Sequence, residues 1–376
     1  MEEQKIKIHR WLYPAAGIYG LGVGLRNKFF EWGWLASESF DLPVICIGNL
    51  AVGGTGKTPH VEYLIRLLRD EGLNVATLSR GYRRKSKGYI LADEGSNARR
   101  IGDEPCQMKR KFPDIRVAVD EDRRHGIRQL LELKNPPVDV VLLDDAYQHR
   151  RVKAGLNIVL TDYHRLLCHD ALLPAGRLRE PAENMQRAQV VVVTKCPEDI
   201  KPIDFNIIAK ELRLYPYQKL FFSGLRYGQP QPVFPPRAKS GSRIKVLDGT
   251  EQVLLLTGIA SPKPLLEEMK RRAAHVELLA FGDHHDFSRK DLLLVEERFA
   301  RLKGTRRLIV TTEKDAARLR NHPSLPEGLK PFVYMLPVEI TILQNQQSIF
   351  NQTIIDYVRT NPRNGLLPEG KDAHAT

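Results

Sequence analysis

The sequence has little cysteine and lacks a long apolar run. Its four cysteines in 376 residues, Cys46, Cys106, Cys168 and Cys196, stand far apart and form no C-x-x-C pair. That spacing excludes a disulfide scaffold and predicts reduced, cytoplasmic thiols. His164, Cys168 and His169 fall close together, but no second ligand pair matches them, so no zinc site is expected. The uncharged stretch Trp11–Leu25 is shorter than the roughly 20 residues a spanning helix needs, and it carries turn-prone glycines. It also lacks a signal-peptide cleavage region. Acid is scarcer than base, 45 Asp and Glu against 58 Lys and Arg, for a net charge of +13. This predicts an anionic partner: a nucleotide, an acidic lipid surface or a nucleic acid. The excess is spread along the chain and so does not select nucleic acid. The local run Arg80, Arg83, Arg84, Lys85, Lys87 reads equally as an anion contact and as a solvated loop. No internal repeat is evident.

Aromatic residues are concentrated near the N-terminus. Trp11, Tyr13, Tyr19, Phe29, Phe30, Trp32 and Trp34 lie beside Arg26 and Lys28. Tryptophan next to base fits a helix lying in a membrane interface. A helix packed on the protein's own core is the alternative. Gly20, Gly22 and Gly24 follow no strand, so they are not a dinucleotide fingerprint.

The most informative segment comes next. Gly53-Gly54-Thr55-Gly56-Lys57-Thr58-Pro59 follows the apolar run Val44–Ile47 and opens a helical pattern. Strand, glycine loop and helix together hold a triphosphate, through close backbone N–H groups and the positive helix N-terminus. Residues Ala51, Val52, Gly53, Gly54, Thr55, Gly56, Lys57 and Thr58 are the expected nucleotide contacts. Lys57 would reach the β/γ-phosphates and Thr58 would bind Mg²⁺. The usual pattern starts with glycine, where this chain has Ala51. Downstream, Val140–Leu143 ends in Asp144-Asp145, the form of a Walker B strand whose acids attend Mg²⁺ or orient a proton acceptor. Gly102-Asp103-Glu104-Pro105 is a second acidic loop. Gly282-Asp283-His284-His285-Asp286 is a histidine pair flanked by acids.

The coarse pattern alternates. Strands are predicted at Val44–Ile47, Val75–Leu78, Arg116–Val119, Val138–Leu143, Ile158–Leu160 and Val190–Val193, with helices over Pro59–Arg69 and Arg123–Leu133. Continuous apolar strands between helices predict a mostly parallel α/β sheet covered on both faces, P-loop NTPase-like, with sites at the strands' carboxyl ends. A second, smaller α/β series runs from Val253 to Met335. The expected division is an N-terminal helix (1–40), a nucleotide-binding unit (41–214), an extended linker (215–250), the smaller unit (251–358) and a loose tail (359–376).

Several segments together resemble the tetraacyldisaccharide 4′-kinase family. They are Gly48–Pro59, Ser79-Arg80-Gly81-Tyr82, Gly102–Pro105, Leu143-Asp144-Asp145-Ala146-Tyr147-Gln148-His149, Leu173–Pro181, Asp283-His284 and Thr312-Glu313-Lys314-Asp315-Ala316. Ala51 belongs to that family's own form of the loop. The resemblance implies two α/β/α units and a peripheral enzyme on the cytoplasmic face of a Gram-negative inner membrane. It implies transfer of the ATP γ-phosphate to the 4′-hydroxyl of a tetraacylated glucosamine disaccharide 1-phosphate. It further implies an Asp103–His284 catalytic dyad, phosphate contact by Lys57, Mg²⁺ at Thr58, Glu104 and Asp144, and Asp145 and Gln148 close by. His285 would be the variable neighbour. Arg80 and Arg123 are unassigned anion contacts. A P-loop NTPase without a lipid acceptor and a nucleic-acid kinase are the other classes; no nucleic-acid module is legible.

Overall fold

The computed structural model describes residues 8–234, 247–259, 262–282, 285–320 and 322–361. The chain forms two compact units, one of residues 1–225 with 340–376 and one of residues 226–339. The larger unit opens with α1 (Tyr13–Glu31). Its strands are β1 (Val44–Asn49), β2 (Val75–Ser79), β3 (Ile90–Leu91), β4 (Arg116–Val119), β5 (Val140–Asp144), β6 (Leu156–Asp162), β7 (Val190–Cys196) and β8 (Lys219–Tyr227). Between them run α2 (Lys57–Asp70), α3 (Ala98–Ile101), α4 (Asp103–Lys111), α5 (Arg123–Leu131) and α6 (Pro202–Leu212). The smaller unit contains β9 (Gln231–Pro232), β10 (Gln252–Thr257), α7 (Lys263–Arg272), β11 (His275–Ala280), α8 (Arg289–Arg301), β12 (Arg307–Thr312), α9 (Glu313–Arg320) and β13 (Val333–Leu336). The chain then returns to the larger unit through β14 (Val338–Ile342) and α10 (Gln347–Arg359).

The larger sheet has the order β14-β8-β7-β6-β1-β5-β2-β4-β3. The pairings from β8 to β4 are parallel, and β3 is antiparallel to β4. The central strands are apolar throughout because both faces are covered: Ile45, Ile47, Val140 and Leu142 pack with α2 and α10 residues on one side, while Cys46, Val141 and Leu143 pack with α5 and α6 residues on the other. The smaller sheet, β11-β10-β12-β13-β9, is parallel except at β9.

Two expectations change. The segment 215–250 is not all linker: Lys219–Tyr227 is a strand of the larger sheet, paired with β7. The expected smaller unit also ends too late, since β14 and α10 belong to the larger unit. Phe350, Ile354 and Val358 of α10 bury against Phe221 and α2, which a local pattern does not reveal. Among the described residues no helix is long and apolar enough to cross a membrane.

Candidate functional site

β1 and β5 are neighbours, with Ile47 opposite Asp144. Their carboxyl ends therefore bring the glycine loop and the acidic pair side by side. The loop turns through Gly53 (φ +118°) and Gly56 (φ +81°), both in the left-handed region where glycine is unstrained. α2 starts at Lys57, two residues before the predicted Pro59, because Gly56 serves as its N-cap. Its Val61, Leu64, Ile65 and Leu68 are buried as predicted, and Gly72 closes it at φ +78°.

Neighbouring segments hold the loop. The Arg177–Arg179 stretch runs antiparallel to it: Val52 N donates to Arg177 O at 2.8 Å and Arg179 N to Leu50 O at 2.7 Å. Thr194 Oγ1 donates to Thr55 O at 2.9 Å. Lys195 donates to Gly54 O and to Asp162 at 2.6 Å. The fully buried Asn49 donates through Nδ2 to Thr55 Oγ1 at 3.0 Å and accepts from Lys57 Nζ at 3.4 Å. His60 touches Gly56 O at 2.7 Å and Ser223 Oγ at 2.9 Å. Burial pushes its imidazole down to about 4, against the Gly56 carbonyl, which acts the other way.

At the acidic tip, Lys57 Nζ lies 3.5 Å from Asp145 Oδ1, and Arg179 lies 3.3 Å from the same carboxylate. Burial raises the Asp145 carboxyl, but Lys57 and then Arg179 outweigh it and leave the group below its ordinary value. Gln148 Nε2 donates to Asn49 O at 2.8 Å, and its Oε1 accepts from Arg179 at 3.4 Å. Asp144 differs. It is 2% exposed, and its Oδ1 has no hydrogen-bond partner among the described residues. Burial, then the Glu104 and Asp145 carboxylates, push it up to about 8 despite Lys57 and Arg123. A buried carboxyl repelled by two others is a site short of positive charge.

Asp103 and Glu104 begin α4 after Gly102 (φ +94°). A Cβ at Gly102 would come within 3.0 Å of Tyr82 O, and one at Gly81 within 2.7 Å of Ile101 O. Glycine thus allows the Ser79–Tyr82 and Gly102–Pro105 segments to nest. Arg123 is buried, donates to the Asp120 and Glu121 carbonyls at 3.1 Å, and leaves Nε without a hydrogen-bond partner among the described residues. Burial and then Arg80 lower its pKa. His149 is lowered to about 4 by burial and Arg123.

His284 lies outside the described residues. Its neighbour His285 is engaged elsewhere: Nε2 meets Asp291 at 2.9 Å and the ring stacks on Phe281. The residues near the loop that sequence reasoning passed over are Asn49, His60, Arg177, Arg179, Thr194 and Lys195. Asn49, Arg177 and Arg179 all lie in segments that carry the family resemblance, so those carried a signal. Lys195 and His60 each depend on a partner more than 30 residues away, Asp162 and Ser223, which a single sequence does not give. All four cysteines are free, and burial is the chief cause that pushes the Cys46 thiol up to about 12, with Arg187 acting the other way. His169 meets Glu211 at 3.5 Å beside Cys168, and His164 takes no part in that group.

α1 rests on the same part of the unit. Tyr19 OH donates to Arg179 O at 2.9 Å, Arg26 to Gln148 O at 2.9 Å, and Gly20 abuts Leu172. Only Ala16, Asn27 and Phe30 of this helix are buried. Trp11, Ile18, Leu21, Trp32 and Trp34 are all more than half exposed.

The family model for tetraacyldisaccharide-1-P 4′-kinase matches residues 8–359. The tetraacyldisaccharide 4′-kinase of Bacteroides fragilis is 64% identical over 375 residues, and that of Bacteroides thetaiotaomicron 61% over 379, each match covering 100% of both chains. Among solved structures, an "apo" form LpxK from Aquifex aeolicus in complex with ATP superposes with a TM-score of 0.69 at 26% identity. That match covers 93% of this chain and 99% of the other.

Proposed function

This chain belongs to the tetraacyldisaccharide 4′-kinase family, and from that premise we propose how its residues move the γ-phosphate of ATP to the 4′-hydroxyl of tetraacyldisaccharide 1-phosphate in lipid A synthesis. The observation that carries the reading is the tip of β1 and β5. There a glycine loop, a lysine at a helix N-terminus and a buried carboxylate with an unmet oxygen share one place.

Phosphoryl transfer needs positioning and charge neutralisation more than covalent chemistry. The backbone amides of Ala51–Gly56 cradle the phosphates. Lys57, which Asp145 and Asn49 hold in reach of the loop, neutralises the β/γ-oxygens. Asp145 keeps Arg179 beside it when Lys57 turns to phosphate, and Arg179 in turn holds Gln148. Thr58, Glu104 and Asp144 offer oxygen ligands of the kind that Mg²⁺ takes, and the unpartnered Asp144 Oδ1 fits such an ion. When bound, the ion offsets charge on the triphosphate. Asp103 and His284, assigned by motif, are the groups that would take the proton of the sugar hydroxyl. The exposed apolar residues of α1 rest on an anionic membrane surface, which makes the enzyme peripheral on the cytoplasmic face of the inner membrane.

The test is incubation with γ-labelled ATP and tetraacyldisaccharide 1-phosphate in detergent, followed by chromatography of the lipid. Label in a lipid bearing a second phosphate is expected. ATP consumed with no labelled lipid would move the chain to the acceptor-free NTPase class.

A further inference from the structure

His60 is a buried, hydrogen-bonding side chain that the mechanism above does not use. It is 3% exposed and sits in the first turn of α2, one position before the apolar stripe begins at Val61. We propose that His60 is a positioning residue for the nucleotide, an imidazole strut that aims the amide of Lys57. The inference rests on the reading that the glycine loop holds the triphosphate.

The geometry starts from the partners. Gly56 O only accepts, so His60 Nδ1, 2.7 Å away, carries the ring proton. Nε2 is then the acceptor for the Ser223 hydroxyl at 2.9 Å. Ser223 is fully buried in β8, two residues before the first segment of the larger unit ends at Leu225. The ring thus ties the start of α2 to the interior of the sheet, across 163 residues of sequence.

Gly56 needs such a tie. It sits at φ +81° and has more backbone freedom than any other residue type. The ordinary helical bond to its carbonyl, from His60 N, is long at 3.4 Å, so the side-chain bond at 2.7 Å is the shorter restraint. The peptide between Gly56 and Lys57 is planar. Fixing its C=O direction therefore fixes the opposed N–H, which is the Lys57 amide at the helix N-terminus. A strut on the far side of the plane holds the phosphate-facing donor in place.

The test uses the full chain in detergent, with KM for ATP, KM for lipid, kcat and thermal midpoint measured for each variant. His60→Phe keeps the ring and loses both bonds. It should raise the ATP KM by about 10-fold, the worth of one buried hydrogen bond, with the lipid KM unchanged. His60→Asn restores a donor toward Gly56 and should return the ATP KM to within about 3-fold of wild type. Ser223→Ala frees the far end of the strut and should move the same constant by about 3-fold. A folded His60→Phe protein with an unchanged ATP KM overturns the proposal. So does His60→Asn as weak as His60→Phe, which would mean packing alone. Should His60→Phe not fold, an unchanged ATP KM in Ser223→Ala overturns it. Lys57→Ala separates the two readings. Normal turnover there removes the phosphate role of the loop, whereas a dead Lys57→Ala beside a normal His60→Phe removes only the strut.

Discussion

Each unit buries an aspartate near the carboxyl end of a parallel strand, and the two are treated in opposite ways. Asp315, just beyond β12 in the smaller unit, is fully buried. It accepts from Gly258 N at 2.9 Å, Thr312 Oγ1 at 2.8 Å and Arg318 at 3.1 Å. Its charge is met by protein. Asp144, at the tip of β5 in the larger unit, is just as deep but keeps an oxygen without a hydrogen-bond partner among the described residues and faces two other carboxylates. A satisfied buried charge caps a helix and locks a turn. An unsatisfied one opposes folding unless something from outside completes it. By that criterion the Thr312–Ala316 motif is architecture, and the proposed chemistry falls to the Leu143–His149 motif.

The contrast is tested first by replacing each buried carboxyl in turn. Asp144→Asn should cut kcat by at least about 10²-fold, as loss of one charge-stabilising group does, while stability stays level or rises. Asp315→Asn should do the reverse. Breaking a buried pair costs about 3–5 kcal/mol, so the smaller unit should unfold at lower urea. Steady-state rates and urea melts on both variants decide it. Two variants that fail in the same way would erase the distinction.

The next prediction tests the proposed pairing of Asp103 with His284. His284→Ala and Asp103→Ala should each lower the chemical step by about 10²–10⁴-fold. The double variant should lose little beyond the worse single one, since groups acting as one unit are not additive. His285→Ala removes the Asp291 contact and should chiefly affect stability. Single-turnover rates that multiply fully across Asp103 and His284, or a larger loss at His285, would sink the dyad.

Much of this was legible in the sequence because it is local. Strand, glycine loop and helix are contiguous from Val44 to Asp70, and β5 runs into its acids without a break, so periodicity and spacing were enough. Two kinds of feature were not legible. The first depends on sheet order. β8 and β14 look like linker and smaller unit in sequence, yet they are edge-side strands of the larger sheet. The second depends on partners far away, as with His60 and Ser223, or Lys195 and Asp162. The sign of the Asp144 environment belongs here too: two adjacent acids do not say which one Lys57 and Arg179 will neutralise.

A smaller effect separates α1 from the site it leans on. Deleting residues 1–36 would remove the Tyr19 contact to Arg179 and the Arg26 contact to Gln148, so it would disturb the nucleotide end as well. Surface changes are cleaner. Ile18→Glu with Leu21→Glu alters two side chains that are 74% and 76% exposed and spaced on one side of the helix. Vesicle co-sedimentation and use of lipid presented in bilayers should fall by about 10-fold or more, the loss of two apolar contacts plus added negative charge. The ATP KM should hold. Undiminished vesicle binding would leave the exposed face without its membrane.

The smallest effect is a slope. The buried His60 titrates near 4, well below its ordinary 6.5, with burial as the cause. Well above pH 6.5 it is neutral whether the chain is folded or not, and it contributes no pH dependence. Between about 6.5 and 4 the unfolded chain binds a proton that the folded one refuses, so stability must fall as pH falls, by about 1.4 kcal/mol per pH unit for this one group. His149 is lowered in the same direction by burial and Arg123, and the carboxylates add their own slope at the acid end of the window. The useful quantity is therefore a difference. Urea unfolding of wild type and His60→Asn at intervals from pH 7.5 to 4.5 (conditions at roughly half-unit steps) should give stability curves that are parallel well above 6.5 and approach each other below it, the variant losing less. His60→Asn keeps a donor for Gly56 and has no proton to refuse, so its shallower slope isolates the histidine's titration from its hydrogen bond. Parallel curves over the whole range would show that His60 accepts its proton in the folded larger unit as readily as in the unfolded chain.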